Sequence, residues 1–86
     1  MRVLVPTQLR SYTAKRAEVD ASGTTLRALL ADLNSHFPGM AFRMVDEQDR
    51  IREHLRFFVN GELVRTLDHP LAATDEVQII CAISGG

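Results

Sequence analysis

Cysteine occurs once, as Cys81. No internal disulfide can form, and a reducing, cytoplasmic home is expected. No apolar run approaches the roughly 20 residues that cross a bilayer. The apolar part of residues 1–6 is too short for a secretory leader. An excess of one charge sign is missing as well, since ten Lys and Arg stand against eleven Asp and Glu, a net charge of −1. That balance gives no electrostatic grip on nucleic acid or anionic lipid, and neither is expected as a partner. No glycine-rich phosphate loop is present, so the chain is not expected to hold a nucleotide itself. His36, His54 and His69 are scattered without metal-ligand spacing. Asp46, Glu47 and Asp49 lack the glycine and closing glutamate of a calcium loop. Neither a bound cofactor nor a metal is expected. Repeats and low-complexity tracts are absent too.

What is present fits one small domain of 86 residues, 45% hydrophobic and 24% charged, with room for a single modest core. Val3-Leu4-Val5, stopping at Pro6-Thr7, predicts a first strand over 2–6. Residues 7–15 read as a polar connection. The alternation in 17–21 predicts a second strand, close enough to pair with the first. Thr24 is the expected helix N-cap. Leu26, Leu29, Leu30, Leu33 and Phe37 follow at spacings of three and four, one apolar stripe on a helix of about three turns, which Pro38-Gly39 ends. Met40, Phe42, Met44 and Val45 make either a short second helix or an irregular apolar patch. Residues 46–56 are dense in charge and read as an exposed, mobile loop. Phe57-Phe58-Val59, Asn60-Gly61 and Glu62-Leu63-Val64 predict a hairpin, because Asn-Gly tolerates positive φ at both turn positions. Residues 67–74 connect, with a break at Pro70, to a last strand over 77–82.

One main amphipathic helix and four or five strands give an α+β domain, with the helix across one face of a mixed sheet. The last strand is the most apolar, so it is expected to be central, beside and parallel to the first. That is β-grasp topology. Period two then turns Val3, Val5, Phe57, Val59, Val77 and Ile79 toward the helix, and Leu4, Phe58, Ile80 and Ala82 to the other face. An apolar cluster left on an outer face marks a partner site, unless segment 40–50 folds over it. Cys81 shares the inward phase of Val77 and Ile79 and is expected to be a small buried apolar residue. Persulfide carriage or covalent linkage to a partner is the other reading of its thiol. Arg50, Arg52 and Arg56 could dock an acidic partner, but the interleaved acids argue for a neutral exposed segment.

The remaining feature is Ile83-Ser84-Gly85-Gly86, directly after the last strand. Glycine has no Cβ, so such a tether can enter a narrow channel. With no catalytic cluster elsewhere, the reactive group is the terminal carboxylate of Gly86, and the rival reading is a frayed end. The strand order, Phe58-Val59-Asn60-Gly61-Glu62 and the ending Ile83-Ser84-Gly85-Gly86 resemble the ubiquitin-like sulfur carriers of the MoaD/ThiS type. The likeness runs along the whole chain. Val5-Pro6-Thr7-Gln8-Leu9-Arg10 and Ala21-Ser22-Gly23-Thr24-Thr25-Leu26 are more similar to the branch serving cysteine synthesis than to the thiamine branch. Ser84 departs from the alanine common before the glycines.

The resemblance implies a carrier rather than an enzyme. A ubiquitin-activating-type enzyme adenylates Gly86 with ATP that the enzyme binds. A sulfur donor converts the adenylate to a thiocarboxylate, and a downstream synthase takes the sulfur for cysteine, or for a molybdopterin- or thiamine-type cofactor. Gly85, Ser84 and Ile83 form the tether, and residues 83–86 are expected to be mobile. A ubiquitin-like modifier conjugated to lysines through Gly86, or a plain interaction module, are the alternatives.

Overall fold

The computed structural model describes residues 1–82. The expected mobility of Ile83, Ser84, Gly85 and Gly86 concerns residues outside the described ones.

The elements run β1 (Arg2–Leu4), a 3-10 turn (Thr7–Leu9), β2 (Glu18–Asp20), α1 (Leu26–His36), α2 (Met40–Met44), β3 (Leu55–Val59), β4 (Glu62–Val64) and β5 (Glu76–Cys81). They form a five-stranded sheet in the order β2-β1-β5-β3-β4. β5 is central, parallel to β1 and antiparallel to β3. This is the β-grasp arrangement expected from the strand order. A strand with neighbours on both edges can be almost wholly apolar on its covered face, which is why Val77 and Ile79 sit there.

The stripe on α1 packs as its spacing predicts: Leu26, Leu29, Leu30 and Leu33 are buried in one cluster with Val3, Val5, Phe57, Val59, Val77 and Ile79. Phe37, the C-cap, is only part-buried at the cluster's edge. The N-cap is Thr25, not Thr24: its side-chain oxygen accepts from the Ala28 amide at 3.2 Å. Thr24 instead gives its carbonyl to the Leu71 amide. The reason is tertiary. Residues 67–71 lie across the helix start, where the amides of Leu26 and Arg27 donate to the carbonyls of His69 and Leu67. Orphan first-turn donors are thus met by a loop some 40 residues on.

Residues 40–44 take the short-helix alternative, and the loop expected at 46–56 ends at His54, since Leu55 and Arg56 belong to β3. Gly39 takes φ 92°, and the Asn34 side-chain oxygen accepts from the amides of Gly39 and Ala41. That capping starts α2, whose Met40 and Met44 are fully buried. Val45 then bridges Ile51. Between them the Asp46 carboxylate accepts from the Gln48 and Arg50 amides. These bonds, the Arg50 amide first, hold the Asp46 carboxyl below its ordinary value. β3 therefore begins at Leu55, earlier than expected, with Leu55 in the core.

The Asn60-Gly61 turn has φ 50° and 85°, as a two-residue hairpin requires. Asn60 does a second job. Its side chain accepts from the Glu76 amide and donates to Asp75, both at 2.9 Å. The hairpin is thereby pinned to the start of β5, and Ala72 and Asn60 together draw the Asp75 carboxyl below its ordinary value.

Candidate functional site

The site is the end of β5 and the sheet face turned away from α1. The β3 ladder reaches the pair Leu55–Cys81, and one further bond, from the Ala82 amide to the His54 carbonyl at 2.7 Å, extends it. The central strand is thus held by hydrogen bonds to the residue just before Ile83. Gly86, Gly85, Ser84 and Ile83 themselves lie outside the described residues.

The outer face follows the expected phase. Leu4, Phe58 and Ile80 are part-exposed and Ala82 is exposed. Leu4 and Phe58 flank Gln78 in one row, since both pair with it across the sheet. Ile80 lies one rung on, paired with Arg56. Segment 40–50 does not bury these residues; its large apolar groups Met40 and Met44 join the core instead. Sequence reasoning missed Leu63, which pairs with Phe58 and stays 39% exposed. Counting outward from the two-residue turn would have found it, because Phe58 and Leu63 are equidistant from Asn60-Gly61.

Cys81 is half-buried rather than buried, which corrects its assignment to the core. At the last rung it packs against the edge of the core and lines depressions shared with residues of the loop after β1. An open depression of about 830 Å³ remains there, bordered by Leu9, Tyr12, Arg43, His54, Arg56 and Cys81. The loop after β1 is more than a polar connection. Leu9 and Thr13 are buried, and the Thr13 hydroxyl donates to the Arg16 carbonyl at 2.9 Å. Ala14 and Lys15 are held at φ 54° and 67°, strained for residues with a Cβ. The Tyr12 hydroxyl accepts from Arg43 Nε at 2.8 Å, which raises the Arg43 pKa.

The described residues hold no cluster of three or more His, Cys, Asp or Glu able to bind a metal. No helix among them is long and apolar enough to cross a membrane. The arrangement offers a part-exposed apolar row and a strand end held by hydrogen bonds.

A β-grasp sheet whose central strand runs into a Gly-Gly ending defines the ubiquitin-like class. Within it, a model described as the ThiS family matches residues 3–86, and the chain belongs to that family. It is 35% identical over 89 residues to the sulfur carrier protein CysO of Mycobacterium tuberculosis (strain ATCC 25618 / H37Rv), covering 98% of this chain and 96% of that protein. The chain is therefore a homologue of a sulfur carrier protein. A chain in the crystal structure of the Amycolatopsis orientalis BexX/CysO complex matches with a TM-score of 0.92 and 31% identity, over 99% of this chain and 98% of that one. The small archaeal modifier protein 1 of Methanosarcina acetivorans shares the fold at a TM-score of 0.83 and 22% identity, over 99% and 94% of the two chains.

Proposed function

We propose that this chain carries sulfur on the carboxylate of Gly86, as a co-substrate of partner enzymes and not as a catalyst. The observation that carries the reading is the held strand end: hydrogen bonding runs through Ala82, and the family match continues to residue 86. In the proposed cycle the Gly86 carboxylate attacks the α-phosphate of ATP in a ubiquitin-activating-type enzyme, and pyrophosphate leaves. A carboxylate is a poor acyl electrophile because its charge is delocalised; the mixed anhydride removes that charge. A donor of sulfide-level sulfur then delivers HS− to the acyl carbon and AMP leaves, giving the thiocarboxylate. A downstream synthase takes the sulfur, and hydrolysis of the acyl–sulfur bond returns the carboxylate. ATP is bound by the partner, and the carrier contributes recognition and presentation.

Leu4, Phe58, Ile80 and Ala82 are proposed as the docking face for the activating enzyme, with Leu63 beside them. Gly85, Ser84 and Ile83 are the tether. The likeness to CysO supports cysteine assembly as the destination of the sulfur, and the BexX/CysO complex supports a partner protein for the carrier. A reducing, cytoplasmic setting is proposed with it, in keeping with a single cysteine.

The test is ATP–pyrophosphate exchange with the cognate activating enzyme, followed by intact mass after a sulfur donor is added. The parent is expected to exchange pyrophosphate and to gain the mass of one oxygen replaced by sulfur. The Gly86-deleted chain, one residue short, is expected to do neither while remaining folded. Exchange and sulfur gain at the parent's rate in the deleted chain would refute the terminal-glycine reading. Protein-sized adducts on lysines would support the modifier instead.

A further inference from the structure

Of the nine arginines in the chain, three bond carboxylates and six do not among the described residues. Of those six, Arg16 and Arg65 lie elsewhere, Arg52 donates to the Phe42 carbonyl away from the strand end, and Arg10, Arg43 and Arg56 border the end of β5. Arg2 bonds Glu18 and Glu76, Arg27 bonds Asp49 and Asp68, and Arg50 bonds Asp46. Arg10, Arg43 and Arg56 have no carboxylate within 4 Å among the described residues, yet none of them hangs loose. Arg10 Nε donates to the Val5 carbonyl at 3.1 Å. Arg43 Nε donates to the Tyr12 hydroxyl at 2.8 Å. Arg56 Nη1 donates to the carbonyls of Glu53 and Leu55 at 2.6 and 2.9 Å. Each is oriented by a neutral acceptor, so its charge stays uncompensated and most of its five donors stay available.

These three arginines border two adjoining depressions that share Gln8 and Cys81. Arg43 and Arg56 border the depression that reaches Cys81 and Ala82. Arg10 borders the neighbouring one, with Ile80 and Cys81. One carboxylate, Glu53, lines the first depression, and no acid lines the second. A chain with net charge −1 thus gathers positive charge where the central strand ends. Of the acids interleaved in 46–56, Asp46 and Asp49 bond Arg50 and Arg27, and Glu53 alone lines the depression with Arg43 and Arg56.

Chain length fixes what must meet this collar. Beyond Ala82 the four residues 83–86 reach at most about 14 Å when fully extended. An active site that receives the Gly86 carboxylate must therefore bring the mouth of its channel up to Ala82. We propose that Arg10, Arg43 and Arg56 form a basic collar that docks an acidic rim at the mouth of the activating enzyme's tail channel. This rests on the sulfur-carrier reading. The collar adds charge recognition to the apolar contact of the outer face. Preorganised rim charges raise the encounter rate and set orientation, and salt screens them.

The test measures the KM for the carrier in ATP–pyrophosphate exchange with its activating enzyme, from about 0.05 to about 0.3 M NaCl. The parent's KM is expected to rise with salt. The triple variant Arg10→Gln, Arg43→Gln, Arg56→Gln is expected to show a KM about tenfold higher at low salt, a flatter salt response and an unchanged kcat. The double variant Arg2→Gln, Arg27→Gln removes two cations that already have carboxylate partners, and should keep the parent's KM. Thermal unfolding of both variants reports that the fold is kept. If the parent exchanges pyrophosphate but the triple variant matches its KM and salt response, the collar is refuted and the carrier reading stands. An equal rise in KM for the double variant refutes it too, since the effect is then one of net charge. If the parent supports no exchange, the carrier reading falls and the collar with it.

Discussion

Replacing Gly23 by Ala probes how closely the chain before α1 approaches the helix. A Cβ at Gly23 would stand 2.4 Å from the Leu29 amide nitrogen and 2.8 Å from both the Ala28 carbonyl carbon and Leu29 Cα. Ordinary contact begins at about 3.4 Å. The obstacle is helix backbone, so no rotamer change relieves it, and the loop before α1 must part from the helix by about 1 Å. The Leu29 amide donates to the Thr25 carbonyl. The same turn holds the Thr25 cap and the bonds from Leu26 and Arg27 to His69 and Leu67. Overpacking costs about 1–3 kcal/mol and loss of a cap adds about 1. The expected loss for Gly23→Ala is therefore about 2–4 kcal/mol, a drop in Tm of at least about 8 °C for a chain of this size. Urea unfolding followed by circular dichroism gives the number. Gly61→Ala is the comparison, because a Cβ there meets open space but φ is +85°; left-handed strain alone costs about 1–2 kcal/mol. A Gly23→Ala variant within about 0.5 kcal/mol of the parent, or one less damaging than Gly61→Ala, would refute the close-approach argument.

Leu30→Ala, in the buried stripe of α1, is expected to cost about 2–5 kcal/mol in the same assay; a midpoint near the parent's would contradict the packing. Phe58→Asp places a charge on the part-exposed outer face and is expected to keep the fold while weakening capture by the activating enzyme, measured by calorimetry; unchanged affinity in a folded variant removes Phe58 from the docking face. Asp75→Ala removes a carboxyl held low by the Ala72 amide and Asn60. A lowered folded-state pKa contributes stability that is complete above the ordinary value of about 4 and lost as pH falls through the folded value. The gap in unfolding midpoint between parent and Asp75→Ala should therefore be steady at neutral pH and close in acid, and a gap that widens below about pH 4 would contradict it.

The features legible in the sequence were those carried within a few residues. The spacing of Leu26, Leu29, Leu30 and Leu33 fixes one helix face whatever packs on it. Asn60-Gly61 sets a hairpin by its own backbone preference, and period two assigns Leu4, Phe58 and Ile80 to one face once a strand is granted. The Asx turn at Asp46, which closes on Gln48 and Arg50, was equally local, and the density of charge around it hid it. Tertiary structure decided what depends on residues far apart in the chain. Thr25 rather than Thr24 caps α1 because residues 67–71 lie over the helix start. Met40 and Met44 become core because Asn34 caps the turn that carries them. Arg43 reaches Tyr12, 31 positions away, and Cys81 stays half-buried beside an open depression that residues of the loop after β1 also line. Periodicity records which side of an element is apolar, since burial acts on every turn or every second residue alike. It does not record which distant carbonyl, hydroxyl or carboxylate will stand opposite a given arginine, and that choice is made when the sheet and helix close on one another.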